Sequence, residues 1–222
     1  MEKTDRTLPE TIADQIRRDI LRGRFAPGTP LKERETALEM DVSRTPMREA
    51  IRILAKEGLV ILRPARSPLI ADPSLEEIAD AIDVLRALEL LSGELACRRA
   101  TDADLDRIEA IQTRMADTYD ALDTLDLFDI DMSFHTAIVE AAHNPALLGT
   151  YRAYLERLWR ARYLSASQRR SRDRVLRQHG DIVAGLRRRD PGRVATAMRA
   201  HLEALEDNIR AKYAQDPGAA ET

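Results

Sequence analysis

Aromatic side chains make up only 4% of the sequence and cysteine occurs once, at Cys97. Few aromatics alongside abundant Leu, Ala, Arg, Glu and Asp weigh against a sheet-built core and favour helices, so the expected class is mainly α. A lone thiol excludes an internal disulfide, and Cys97 falls in a helical pattern, where it reads as a buried small hydrophobe. No apolar run approaches the ~18 residues of a membrane span. Met1-Glu2-Lys3-Thr4-Asp5-Arg6 lacks the apolar core of a signal peptide, so the expected location is the cytoplasm with no membrane partner. A phosphate-binding glycine loop and a His-Glu-x-x-His pair are also missing, which removes two common bases for enzymatic chemistry.

A chain of 222 residues is long enough for two modest domains. The net charge of −3 hides an asymmetry. Residues 1–72 carry 14 Lys/Arg against 12 Asp/Glu, residues 73–133 carry 5 against 16, and residues 134–222 carry 16 against 10. A basic face can therefore exist locally on an acidic protein.

In the first segment, Leu8, Ile12, Ile16, Ile20 and Leu21 mark one side of a helix that stops at Gly23. After the turn Pro27-Gly28-Thr29-Pro30, a short helix is expected from Lys32 to Met40. Asp41-Val42 then connects tightly to a helix starting near Ser43 and ending at Gly58. Ser43 is placed to accept a hydrogen bond from a first-turn amide, and Pro46 is tolerated there because those amides have no intrahelical partner. Arg44, Arg48 and Arg52 recur on one face of this helix and Met47, Ile51 and Leu54 on another, so one side is cationic and the other is core. Residues 59–63, 64–67 and 68–71 read as strand, turn and strand, a wing after a helix-turn-helix.

Ala26-Pro27-Gly28, Leu31-Lys32-Glu33-Arg34-Glu35, Val42-Ser43-Arg44-Thr45-Pro46-Met47-Arg48-Glu49-Ala50, Leu54 and Glu57-Gly58-Leu59-Val60 together resemble the winged helix-turn-helix of GntR-type bacterial transcription regulators. The resemblance implies that Arg34, Ser43, Arg44, Thr45 and Arg48 face double-stranded operator DNA. It also implies a wing tip in the minor groove, where Arg66 is the candidate contact although the family often carries glycine. Arg44 and Arg48 suit bidentate bonds to guanine O6 and N7, and Arg34 a phosphate. The alternative is that these arginines only solvate a helix face.

A second domain, residues 73–222, begins at the capping box Ser74-Leu75-Glu76-Glu77. Six helices are expected: to about Ala100; from the Thr101 cap to about Leu122; Leu125 to His143; about Ala146 to Leu164; about Arg174 to Arg189 after an Arg-rich link; and from Asp190-Pro191 to near Gln215. In antiparallel succession they make an all-α bundle. Asp131 and His135 share a helix face, His179 precedes Ile182, Val183 and Leu186, and His201 sits with Met198, Leu202 and Leu205. Three imidazoles and a carboxylate suit a borderline divalent metal, zinc first, with nickel or manganese as alternatives. Singly, each histidine reads as a core or surface residue, and His143, beside the helix-ending Asn144-Pro145, keeps that reading.

Arg86-Ala87-Leu88-Glu89, Asp131-Met132-Ser133-Phe134-His135, His179-Gly180 and His201-Leu202 resemble the ligand-sensing domain of the FadR-like subfamily. In its metal-binding branch an Asp and three His hold a divalent cation, which maps onto Asp131, His135, His179 and His201, and effectors are typically small organic acids. A carboxylate effector needs counter-charges, for which Arg86 and Arg162 on apolar stripes are the candidates. The alternatives are an intrahelical Arg86–Glu89 pair and an Arg162 at the solvated end of its stripe. The Arg157–Arg177 segment can also pair with the acidic residues 76–131. The expected function is thus a ligand-responsive regulator, a repressor by family habit. A homodimer would read palindromic half-sites, because one small module binds weakly. A metal-dependent enzyme or a purely structural metal is the alternative.

Overall fold

The computed structural model describes residues 6–167 and 172–213. They divide into two compact units with the boundary between Ser74 and Leu75.

In the first unit, α1 (Leu8–Leu21) packs on α3 (Arg44–Lys56), with α2 (Glu33–Glu39) between them in sequence. A capping box absent from the sequence reading starts α1: Thr7 Oγ1 accepts from the Glu10 amide, and the Glu10 carboxylate accepts from the Thr7 amide at 2.8 Å. Gly23, just past its end, has φ +79°, which a side chain resists. The α2–α3 connection closes through Asp41 at φ 52°, with the Val42 amide donating to the Ala37 carbonyl at 3.0 Å. Ile12, Ile16, Met47, Ile51 and Leu54 are buried, which fixes the apolar side of α3 inward.

Ser43 has the extended backbone of an N-cap, but its side chain makes no capping bond. The third helical residue is Pro46, whose nitrogen carries no hydrogen, so one amide a cap would normally bind is missing. The wing strands are also shorter than the expected 59–63 and 68–71. The strands are β1 (Val60–Ile61) and β2 (Leu69–Ile70), antiparallel, with Val60 opposite Ile70. Pro64 and Pro68 cannot donate to the ladder, and Arg63 turns its guanidinium onto the Ser67 carbonyl at 2.6 Å.

The second unit contains α4 (Leu75–Arg99), α5 (Asp102–Thr118), α6 (Thr124–Ala141), α7 (Pro145–Ser167), α8 (Arg172–Arg187) and α9 (Pro191–Tyr213). Helix α7 runs on to Ser167, past the expected end near Leu164 and into the Arg-rich link, and α8 starts at Arg172 rather than about Arg174. Residues 168–171, the rest of that link, and the expected end of α9 near Gln215 lie outside the described residues. Thr101 and Asp104 form the capping box of α5, and Asp123 accepts from the Asp126 amide to start α6. Helix α6 is buried on most sides, as an inner helix of a bundle must be, and packs against α4, α5 and α7. Cys97 is buried and free.

Helix α9 approaches its neighbours where they carry glycine. A Cβ on Gly185 would stand 2.8 Å from Val194 Cγ2 and 3.1 Å from the Val194 backbone nitrogen. Alanine is better than glycine in a helix by ~1 kcal/mol, but pressing against backbone costs ~1–3 kcal/mol. The clash decides the sign. Gly185→Ala is expected to unfold at lower urea, by up to about 2 kcal/mol, and an unchanged midpoint would mean that α8 and α9 part easily.

Arginines and acids join the bundle helices. Of the Arg157–Arg177 segment, Arg162 meets Glu89 at 2.7 Å inside the bundle and Arg172 lies 3.3 Å from Asp120 at its surface. Beyond it, Arg187 holds Asp106 at 2.6 Å and also Glu109, and Arg189 lies 3.3 Å from Asp102. No helix among the described residues is long and apolar enough to cross a membrane.

Candidate functional site

Three helices bring Asp131 and His135 (α6), His179 (α8) and His201 (α9) together, with one donor atom from each within 4.8 Å of all the others. All four are buried. The i, i+4 spacing of Asp131 and His135 places both on one side of α6. Phe134, also on α6, stacks on the His179 ring at 4.4 Å between centroids and 21° between planes.

The tautomers follow from what surrounds each ring. Gln178 donates its amide to the Ala200 carbonyl at 3.0 Å, which turns its oxygen toward His201 Nδ1 at 3.4 Å. His135 Nδ1 lies 2.9 Å from the Glu89 carboxylate. A proton on each Nδ1 suits these partners, and the two Nε2 atoms then face each other at 3.1 Å, close enough to share a cation or a proton.

Asp131 Oδ1 is 3.2 Å from His179 Nε2 and 3.8 Å from His135 Nε2, yet it is buried without a hydrogen bond. Burial pushes its carboxyl up, but the neighbouring His179, then His135 and His201, outweigh this and hold it well below the usual carboxylate range. Four donors about 2.0–2.2 Å from one ion stand about 3.0–3.4 Å apart when adjacent and about 4.2 Å when opposite. The residues present fit a divalent cation.

Glu89, Tyr151 and Gln178, also at this site, were not singled out from the sequence as site residues. Glu89 on α4 is 2% exposed, with one oxygen on His135 and the other accepting from Arg162 Nη1 at 2.7 Å. Tyr151 approaches the same oxygen at 3.5 Å. Burial favours the neutral acid, but His135 and Arg162 hold the Glu89 carboxyl far below its ordinary value. The available signal was the apolar stripe Ile78, Ile82, Leu85, on which Glu89 falls one turn later. Gln178 could be found only from structure.

Arg162 is 3% exposed, not the solvated end of its helix, and its Nε is buried without a hydrogen-bond partner. Arg86 is partly buried, with Nη1 3.5 Å from Asp83. His143 lies apart from the cluster, on the surface, with Nε2 2.8 Å from Asp104. The Asp104 carboxyl is held down at about 2, chiefly by the Thr101 hydroxyl, with His143 adding to the effect. Glu140 is bound to Arg107 at 2.7 Å and Arg152 at 3.0 Å.

In the first unit, Ser43, Arg44, Thr45, Arg48 and Arg52 are exposed along α3, and Arg34 and Arg66 are exposed on α2 and the wing tip. Arg48 Nε donates to Glu33 at 2.8 Å, and Arg52 pairs with Glu49 on its own helix. Among the described residues, Arg34, Arg44 and Arg66 have no ion-pair partner.

A winged helix-turn-helix joined to an all-α bundle with a buried polar cluster is the plan of a DNA-binding transcription regulator. Residues 8–70 match the gntR family of bacterial regulatory proteins, and residues 80–204 match the FCD domain. The chain is 32% identical over 197 residues to the HTH-type transcriptional repressor RspR of Escherichia coli, spanning 88% of this chain and 86% of that protein. It is 25% identical over 232 residues to the Glc operon transcriptional activator of Escherichia coli, spanning 94% and 91%. The solved structure of McbR/YncC from E. coli superposes with a TM-score of 0.76 at 18% identity, over 95% of this chain and 99% of that one, which shows a common fold. The chain belongs to the GntR family of transcription regulators and carries an FCD domain. The two curated relatives are named as a repressor and an activator of transcription.

Proposed function

We propose that the chain is an acid-responsive, metal-dependent repressor of the FadR-like branch. Residues 1–72 bind operator DNA, and residues 73–222 bind the metal and the acid and hold the dimer. Asp131, His135, His179 and His201 take one divalent cation, zinc by the chemistry of three imidazoles and a carboxylate. Four protein donors leave room for a ligand at an ion that accepts five or six, as zinc can on expansion and nickel or manganese do readily. Such an ion supplies a Lewis-acidic anchor for an oxygen anion.

The observation that carries this reading is the buried four-donor cluster, in which two imidazole Nε2 atoms meet at 3.1 Å beside the Asp131 carboxylate. The unpartnered Arg162 Nε, with Arg86 as a second candidate, supplies counter-charge for a small carboxylate effector. Arg34, Ser43, Arg44, Thr45, Arg48 and Arg66 read the operator. Two copies gain from linked half-sites what one cannot. Repression rather than activation is favoured because the named repressor is the nearer of the two relatives, at 32% against 25% identity.

The test begins with selection of an operator from random duplex DNA, followed by fluorescence anisotropy. Affinity is measured for chelator-stripped protein, zinc-loaded protein and zinc-loaded protein with a panel of mono-, di- and tricarboxylic acids. At least one acid is expected to shift operator affinity ~5–150-fold, and only with metal bound. A second reading, a structural metal, follows from ligands that tie α8 and α9 to α6. Chelation that melts the bundle while every acid leaves operator binding unchanged would select it.

A further inference from the structure

We infer that Glu89, braced by Arg162, is a positioning residue for the metal. Its carboxylate holds the proton on His135 Nδ1 and thereby directs Nε2 to the cation. The inference rests on the metal reading above but concerns a residue outside the four ligands.

Glu89 comes from α4, which supplies none of the four donors, and is as buried as the residues around it. A carboxylate 2.9 Å from an imidazole nitrogen forbids a lone pair there, so the proton belongs on Nδ1. The contact is close but bent, short of full hydrogen-bond geometry. A small rotation of the ring about its own axis straightens it and shifts Nε2, so ring orientation and carboxylate position are linked. Histidines that bind metals commonly donate their second N–H to a carboxylate, and loss of such a partner weakens metal binding ~10–100-fold.

A carboxylate buried this deeply needs its own counter-charge, and Arg162 provides it at 2.7 Å. The Tyr151 hydroxyl lies 3.5 Å from the same oxygen, and burial together with Glu89 holds that phenol well above its usual range, so it stays a neutral neighbour. Arg162, Glu89 and His135 form one chain of contacts from α7 through α4 to α6. It explains why an arginine sits where the apolar stripe of α7 would otherwise continue.

The test compares wild type with Glu89→Leu/Arg162→Met, which removes both buried charges together, a change often neutral for stability. Zinc affinity is measured by competition with a chromophoric chelator. The d–d spectrum of the cobalt(II)-loaded protein reports ligand geometry, and urea unfolding in EDTA reports the fold. The double variant is expected to unfold near the wild-type midpoint in EDTA, bind zinc ~10–100-fold more weakly and give an altered cobalt spectrum. Should it not fold, Glu89→Gln carries the comparison. Its amide oxygen still accepts from Nδ1 without the charge, and a several-fold loss is expected.

Wild-type affinity with a superimposable spectrum, in the double variant or in Glu89→Gln if that must serve, would overturn the assignment and leave the four-ligand site standing. A wild type that binds neither zinc nor cobalt would overturn both.

Discussion

His179→Ala is expected to empty the metal site. Its ring is fully buried against Phe134, and it is the one donor of the four that α8 supplies. Elemental analysis of untagged protein should give about one divalent ion per chain in wild type and much less in the variant, because the ion loses one of the three imidazoles that hold it. Stability should follow by linkage. At a free metal concentration of 100 times Kd the wild type gains about 2.7 kcal/mol that the variant cannot. Adding EDTA should therefore lower the wild-type melting temperature and leave that of His179→Ala in place. Full metal content in the variant would show that other residues hold the ion.

Arg48→Ala is expected to remove most of the discrimination between operator and scrambled DNA while leaving the oligomeric state unchanged. In free protein Arg48 is tied to Glu33, but that pair is surface-exposed and contributes only ~0–1 kcal/mol. A bidentate contact to guanine contributes ~1–3 kcal/mol of discrimination, so the exchange of partners favours DNA. The loss is thus roughly 5–150-fold for each half-site contacted. Binding to scrambled DNA should change far less. Anisotropy titrations at one fixed salt concentration separate the two, and an unchanged operator preference would remove Arg48 from the reading face.

Much of this was legible in the sequence, for identifiable reasons. The helix-turn-helix was written in spacing: the apolar positions of α1 and α3, Gly23 and Gly58 past their ends, and the short Asp41-Val42 connection. The four-donor cluster was found from three histidines and an aspartate on inward helix faces, without knowledge of which helices meet. Pairings that depend on tertiary approach were not legible. Glu89 looked like a local partner for Arg86 because three residues separate them, whereas its oxygens reach α6 and α7. The acid partners of Arg187 and Arg189 lie on α5, a choice no local pattern records. The missing Ser43 cap was in principle readable, since Pro46 announces the absent amide, and the short wing likewise follows from its two prolines.

Helices far apart in the chain supply the donors, and this sets a timetable. His201 is added 66 residues after His135. At about 5–20 residues per second, roughly 3 to 13 s of synthesis separate the two. The winged unit, made before either, has its whole sequence by then and can fold as a unit on the ribosome. A newborn chain thus holds its DNA-binding unit before it holds the last of the four donors proposed to take the metal. If those donors act as proposed, a scarce supply of metal would prolong the interval in which the first unit is folded and the second has no ion.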